Sequence, residues 1–380
     1  MVLIVLPAMP IRTGPKVPFA RRRMWLSTLV GPARARSNGA VRPRVLLGTI
    51  DSVDDHVTPH GHPERHARLG AVARGIADAN LEERAAPLEG RVALFTELAR
   101  VHSELYLDAI AQLCDAGGGA LDPDTSTSRG SWHTAVLAAG LGLAAVEALQ
   151  ADEADAAFIA IRPPGHHATA TRAMGFCLLN HVAIAAAALA GTGERVAIID
   201  WDVHHGNGTQ DIFWNDARVL YASLHQWPAY PGTGRATETG GPGAPGLTVN
   251  VPLPPGATGD VAMAAIDDVV APVIDRFQPT WVLISAGFDA HRDDPLADLS
   301  WSSGDYAALT NRIAQMAPAP GRLIAFLEGG YDLDALRRSA GATVSALAGE
   351  NWQPEAPTSG GTGRDAVTQA ALVRARSEGE

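Results

Sequence analysis

Six short apolar runs, at residues 158–162, 196–200, 219–223, 247–251, 281–285 and 323–327, constrain this chain more than any other feature. Many of their residues are β-branched, and none of the runs alternates cleanly with polar positions. Such runs suit strands buried on both faces, as in a parallel sheet. Ala-rich stretches with helical character, such as 182–189 and 261–277, lie between them. Strand–helix alternation of this kind predicts a single-domain, three-layer α/β/α sandwich with a mainly parallel central sheet.

Composition sets the limits. With 380 residues, 46% hydrophobic and 19% charged, the chain is long enough to bury a large core. A net charge of -11 argues against direct nucleic-acid binding and is compatible with a cationic substrate. Cys114 and Cys177 are the only cysteines, which excludes a disulfide framework and a cysteine-rich zinc site and makes a reducing cytoplasm the expected compartment. No apolar run reaches the roughly 20 residues that a membrane span needs, so no membrane association is expected. Residues 1–44 hold no acidic residue and are rich in Arg and Pro. That composition fits a disordered extension or an organelle leader. Residues 351–380 read as a tail, which leaves 45–350 as the working domain. The oligomeric state is left open.

Four of the six runs end in residues that carry chemistry. The first is followed by Pro163-Pro164-Gly165-His166-His167, and the second by Trp201-Asp202-Val203-His204-His205-Gly206-Asn207. The last two lead into Ala286-Gly287-Phe288-Asp289 and Glu328-Gly329-Gly330-Tyr331. Ligands of open parallel sheets bind beyond the carboxyl ends of the strands, so these tails mark an active site.

Asp202 and His204, two apart in extended chain, project to one side, and Asp289 supplies a third donor from another strand end. Three protein ligands leave positions open for water and substrate, the catalytic arrangement. His166 and His167 sit on a stiff turn where one imidazole can act as general base and then general acid. Asp200 and Asn207 are available to orient them. A carboxylate partner favours a cationic ring, and an amide partner leaves the other ring near its ordinary pKa. Tyr331 is suited to donate a hydrogen bond to a developing oxyanion.

Long motifs in a fixed order make residues 51–348 similar to the histone deacetylase superfamily, within the arginase–deacetylase fold. They are Arg162-Pro-Pro-Gly-His-His-Ala168, Gly175-Phe-Cys-Leu-Leu-Asn180, Asp200-Trp-Asp-Val-His-His-Gly-Asn-Gly-Thr-Gln-Asp211, Ser285-Ala-Gly-Phe-Asp-Ala-His-Arg-Asp-Asp-Pro295 and Leu327-Glu-Gly-Gly-Tyr331. Asn207 stands where class I members have aspartate, so the likeness is to the class II branch and its bacterial amidohydrolase and acetoin-utilization-type relatives.

The resemblance implies one Zn²⁺ per chain on Asp202, His204 and Asp289. It implies proton transfer by His167, electrostatic support from His166 paired with Asp200, and carbonyl polarisation by Tyr331. Asn207 matches the partner of His167. Gly175, Phe176 and Tyr230, with Gly330, match a narrow tunnel for an acyl-amine side chain. Arg65 resembles an arginine near an internal acetate channel. A K⁺ site would use Asp200, Ser223 and carbonyls of Asp202, His204 and Leu224. Two departures stand out. His181 follows Asn180, where a second asparagine is frequent, and reads as a helix-start substitution. Leu296 occupies the place of the glutamate gatekeeper of polyamine-specific members.

The implied activity is zinc-dependent hydrolysis of the acetyl amide of N-ε-acetyl-lysine in proteins or peptides, with acetate released. Acetylpolyamine hydrolysis is the alternative, so the expected partner is an acetylated lysine peptide or an acetylated small amine. Two other readings remain: a binuclear manganese ureohydrolase using the alternation Asp289-Ala-His291-Arg-Asp293, and a silent acyl-lysine-binding module.

Overall fold

The computed structural model describes residues 44–50 and 55–377. The extension expected over 1–44 therefore lies, except for Arg44, outside the described residues. Ten strands are present among them: β1 (Val45–Thr49), β2 (Ala85–Pro87), β3 (Gly118–Ala120), β4 (Ser126–Ser128), β5 (Ala156–Ala160), β6 (Val196–Asp200), β7 (Val219–Gln226), β8 (Thr248–Leu253), β9 (Trp281–Ala286) and β10 (Leu323–Leu327). Eight form one sheet in the order β2-β1-β5-β10-β9-β6-β7-β8, every neighbouring pair parallel. Strands β3 and β4 form a separate antiparallel pair.

The sheet is covered on both faces, as the apolar runs require. Alternate residues of each strand enter different cores. Ala197 and Ile199 pack with the layer that includes helices Ala67–Asp78, Ser303–Ala314 and Leu333–Leu347, whereas Val196 and Ile198 pack with the layer that includes Ser131–Gln150 and His181–Gly191. This is the α/β/α sandwich expected from the sequence. Strands β6 and β10 coincide with their expected runs, β7 and β9 extend beyond theirs, β8 lies slightly later, and β5 lies earlier, leaving Ile161 and Arg162 in the turn. Residues 261–277, expected as one helix, contain a π-helical turn at Ile266–Val270. His181 opens its helix, and the Asn180 side chain caps that helix by accepting from Ala183 N.

Two expectations need correction. The helix Ser131–Gln150 is 20 residues long and, by length and composition alone, apolar enough to cross a membrane, contrary to the reading that no stretch approaches that length. Its apolar window is 78% buried, which identifies it as a core helix. Its apolar middle is buried on nearly every side, with exposed polar residues such as His133 and Glu147 confined to its ends, so it carries no amphipathic stripe to mark it. The region after 350 is also more than a tail. It forms the helix Arg364–Ser377, which packs along β8, buries Val367 and Ala370, and donates from Arg374 to Thr248 O and Gly246 O. The helix covers the outer strand of the sheet, so this edge is not left bare.

The helices Ala67–Asp78 and Leu333–Leu347 cross at a pair of glycines. A Cβ on Gly75 would lie 1.9 Å from Arg337 O, and one on Gly341 would lie 2.4 Å from Gly75 O. Gly75→Ala is expected to destabilise the fold by about 1–3 kcal/mol through overpacking. A denaturant midpoint equal to that of the parent chain would refute this reading of the crossing.

Candidate active site

The four strands that carry the chemical tails, β5, β10, β9 and β6, are consecutive neighbours at the centre of the sheet. Their carboxyl ends therefore converge. Asp202, His204 and Asp289 come together with one donor atom of each within 4.8 Å of the others. His204 turns Nδ1 toward both carboxylates, 3.1 Å from Asp202 Oδ1 and 3.2 Å from Asp289 Oδ2. Backbone donors hold the acids in place: Val203 N reaches Asp289 Oδ1 at 2.9 Å, and Gly329 N reaches Asp202 Oδ2 at 2.8 Å. Asp289 Oδ2 is buried and receives no hydrogen bond. A buried carboxylate oxygen left unsatisfied beside an imidazole nitrogen and a second carboxylate is the donor set of a divalent cation. The residues present fit a metal site.

The histidine pair is oriented as the sequence suggested. His166 Nδ1 donates to Asp200 Oδ2 at 3.0 Å, and the same oxygen accepts the Tyr221 hydroxyl at 3.1 Å. Burial opposes charge on His166, but Asp202 and Asp200 outweigh it and hold its pKa well above the ordinary value. His167 Nδ1 lies 2.8 Å from Asn207 Oδ1, while Asn207 Nδ2 turns to Met174 Sδ. With the amide oxygen accepting, the His167 proton sits on Nδ1 and the Nε2 lone pair is free. Burial, together with the neighbouring His166 and His204, pushes the His167 pKa well below its ordinary range. The expectation of a near-ordinary value is corrected, because the amide partner cannot offset burial and two nearby imidazoles. Neighbouring titratable groups pushed apart in this way divide acid and base roles between them.

Tyr331 lies at the site with Phe176 edge-on to its ring at 5.7 Å. Burial foremost, reinforced by Asp289 and Asp202 and opposed by Arg68, holds its phenol well above the ordinary pKa, so it stays a donor. Tyr230 stands edge-on to His167 at 5.1 Å, which places Phe176 and Tyr230 around the histidine and the tyrosine. Gly175 has φ +55°, and a Cβ there would lie 2.4 Å from the His167 ring, so this wall must be glycine. Gly330, at φ +114°, turns its carbonyl away to Arg68. Leu296 is exposed on the loop beyond Asp294 and donates its N–H to Asp294 Oδ1. Ser223 pairs in register with Asp200 and lies 2.9 Å from His225 Nδ1, and Leu224 is buried next to it.

The structure also moves some roles and adds others. Arg65 is exposed, and the arginine at the site is Arg68, fully buried, with Nε donating to Gly330 O at 2.7 Å and Nη2 to Glu328 O. Its guanidinium lies 4.9 Å over the Tyr331 ring. A charged residue on the same buried helix face as Val72 and Gly75 was the signal for it. Glu328 was passed over: its Oε2 accepts Gly165 N at 2.6 Å and His166 N at 3.1 Å and so fixes the histidine turn. Asp294 was passed over too; its Oδ2 accepts Tyr331 N and Asp332 N. His291, part of the alternation in the binuclear reading, turns Nε2 to Glu355 at 2.9 Å.

A Cβ on Gly329 would lie 2.0 Å from Asp289 Oδ2 and 2.7 Å from Asp202 Oδ2. Gly329→Ala is expected to weaken divalent-metal affinity by about 10–100-fold. Metal titration of the purified variant checks this, and parent-like affinity would place the cation elsewhere.

Comparison with known proteins agrees with this geometry. A family model described as histone deacetylase domain matches residues 62–347. The chain is 41% identical over 309 residues to a "Probable deacetylase" of Archaeoglobus fulgidus, covering 77% of this chain and 86% of that protein. It is 42% identical over 300 residues to the histone deacetylase-like amidohydrolase of Pseudomonas aeruginosa, covering 77% and 75%. The crystal structure of the HDA15 HD domain superposes with a TM-score of 0.80 at 35% identity, covering 89% of this chain and 95% of that one. A parallel eight-stranded sheet with this residue constellation at its carboxyl edge, matched along most of its length by these relatives, makes the chain a member of the histone deacetylase family of deacetylases and amidohydrolases.

Proposed function

We propose that this chain is a zinc-dependent deacetylase that hydrolyses the acetyl amide of N-ε-acetyl-lysine in proteins or peptides and releases acetate. The observation that carries the reading is the juxtaposition of two oppositely tuned histidines with a three-donor metal site. Asp202, His204 and Asp289 would hold the ion. When bound, it supplies Lewis acidity to a carbonyl oxygen and to water.

The chain's own groups carry the rest. His167 Nε2 takes the proton of the attacking water, while Asn207 keeps the other nitrogen protonated. The Tyr331 hydroxyl donates to the oxyanion as the carbonyl carbon becomes tetrahedral. The imidazolium formed at His167 then protonates the departing amine. His166, held cationic by Asp200, makes that imidazolium a stronger acid. Phe176 and Tyr230 flank the approach and match an extended alkyl chain. Asp200, Ser223 and the carbonyls of Asp202, His204 and Leu224 would hold K⁺ in this proposal.

The apolar Leu296 on the exposed loop offers no anionic anchor for a distal ammonium, which favours acyl-lysine. One observation favours acetylated polyamines instead: Asp124 and Asp122 lie close enough to Tyr230 to join burial in raising its phenol pKa. Acetate release from acetyl-lysine peptides and from acetylated polyamines, measured with the Zn²⁺-loaded protein, decides between them. Peptide preference supports the proposal, and polyamine preference makes the aspartates the specificity element.

Tyr331→Phe is expected to lower kcat by about 10²–10³ with metal content unchanged. Loss of metal in that variant would show that the tyrosine role is misassigned.

A further inference from the structure

The loop from Asp289 to Asp294 has a role at each end. Asp289 supplies a donor to the metal site, and Asp294 accepts the backbone N–H groups of Tyr331 and Asp332. The middle of the loop is held by a residue beyond the stretch that the family model matches. His291 is fully buried, and its Nδ1 accepts from Asp293 N at 3.1 Å. The ring proton is therefore on Nε2, which donates to Glu355 Oε2 at 2.9 Å. Glu355 also accepts from Ser303 N at 3.1 Å and pairs with Arg292. It lies 64 residues beyond His291, past the end of the family match at 347.

The segment around Glu355 is itself pinned. Ala356 O accepts from Ser302 Oγ at 2.8 Å. Thr358 bonds Asp305 through both N and Oγ1, and its Oγ1 also accepts from Gly259 N. Gly304 leaves no room for a Cβ, which would lie 2.4 Å from Glu355 O. The anchors explain how a residue so distant in sequence reaches the loop at a fixed height. His291, Asp293 and Glu355 could be taken for a second metal site. Arg292 on Glu355 and Arg338 on Asp293 argue against it, since guanidinium groups already neutralise both carboxylates.

We propose that Glu355 is a positioning residue: by fixing His291 it sets the Asp289–Asp294 loop, and through that loop both a metal donor and the Tyr331 backbone. The proposal rests on the assignment of Asp289 as a metal ligand. It acts through the loop and touches neither substrate nor metal.

The test uses the full chain loaded with Zn²⁺ and follows metal loss to an excess of chelator, alongside kcat and KM. Glu355→Ala is expected to speed metal loss and lower kcat by about tenfold each, with KM within about twofold. Glu355→Gln, whose amide oxygen still accepts from His291 Nε2 and Ser303 N, is expected to stay within about threefold of the parent in metal loss, as outer-shell support survives. Val367→Ala, a core truncation in the C-terminal helix, should lower stability while leaving metal loss unchanged. Parent-like metal loss in Glu355→Ala overturns the proposal. So does equal acceleration in Val367→Ala, which would reduce the effect to general destabilisation, or equal impairment in Glu355→Gln. A stoichiometry near two ions in the parent and near one in Glu355→Ala would make the cluster a second metal site and also overturn it. A parent chain that holds no Zn²⁺ would overturn the proposed function together with this inference, an outcome distinct from the others.

Discussion

Buried negative charge is the constraint on which the rest of this structure depends. Asp200, Asp202, Asp289 and Glu328 are all essentially inaccessible to water; Asp202 pushes up the pKa of the other three, and Asp200 also pushes up that of Glu328. Unpaired carboxylates in such a place are costly, and like charges raise one another's pKa. The protein offsets part of the charge with His166 and part with backbone amides aimed at individual oxygens. The proposed divalent ion would supply the rest. The candidate metal site is the part of this charged cluster that the protein's own donors leave unsatisfied, at Asp289 Oδ2.

The amides that do this work explain the sequence around the strand ends. Gly329 N serves Asp202, Val203 N serves Asp289, and Gly165 N and His166 N serve Glu328. At Gly287 and Gly329 an acid oxygen stands within 2.1 Å of where a Cβ would be, so these two positions exclude any side chain. The glycine-rich tails therefore permit close contact more than they supply flexibility. Arg68 completes the arrangement from the far side by binding the carbonyls of Glu328 and Gly330, so the turn leading to Tyr331 is held through both its donors and its acceptors.

What the sequence revealed, and what it hid, divides along contact range. The central strands and the donor triad were legible because each lies in one continuous motif, with an apolar run followed directly by its polar tail. Arg68, Asp294, Glu328 and Glu355 were not, because each works through a backbone group or a partner far along the chain. Arg68 reaches Gly330 across 262 positions, and a motif reading stopped at the nearer Arg65. The strands β1 and β2 lie outside the four tail-bearing motifs, and β2 is only three residues long. The helix Arg364–Ser377 escaped because its Ala, Val and Leu residues are interspersed with charge and follow a stretch rich in Gly, Thr and Pro, and its role is to cover an edge strand. Polar composition was read as disorder where it reflects a helix largely facing solvent.

The histidine pair shows how much depends on strand register. His166 and His167 are adjacent on one turn, yet one is driven toward the cation and the other toward the neutral ring. Chain position alone cannot produce that difference. It arises because their Nδ1 atoms meet different structures: the last residue of β6 for His166, and the first residue of the helix Asn207–Phe213 for His167. β6 is held by residue-for-residue pairing with both β7 and β9, which sets Asp200 level with Ser223 on one side and Ser285 on the other. A slip of one residue would turn Asp200 to the opposite face of the sheet and leave His166 without its partner. The division of labour between two neighbouring imidazoles thus rests on the parallel hydrogen-bond ladder of the buried strands, whose apolar residues take no part in the chemistry.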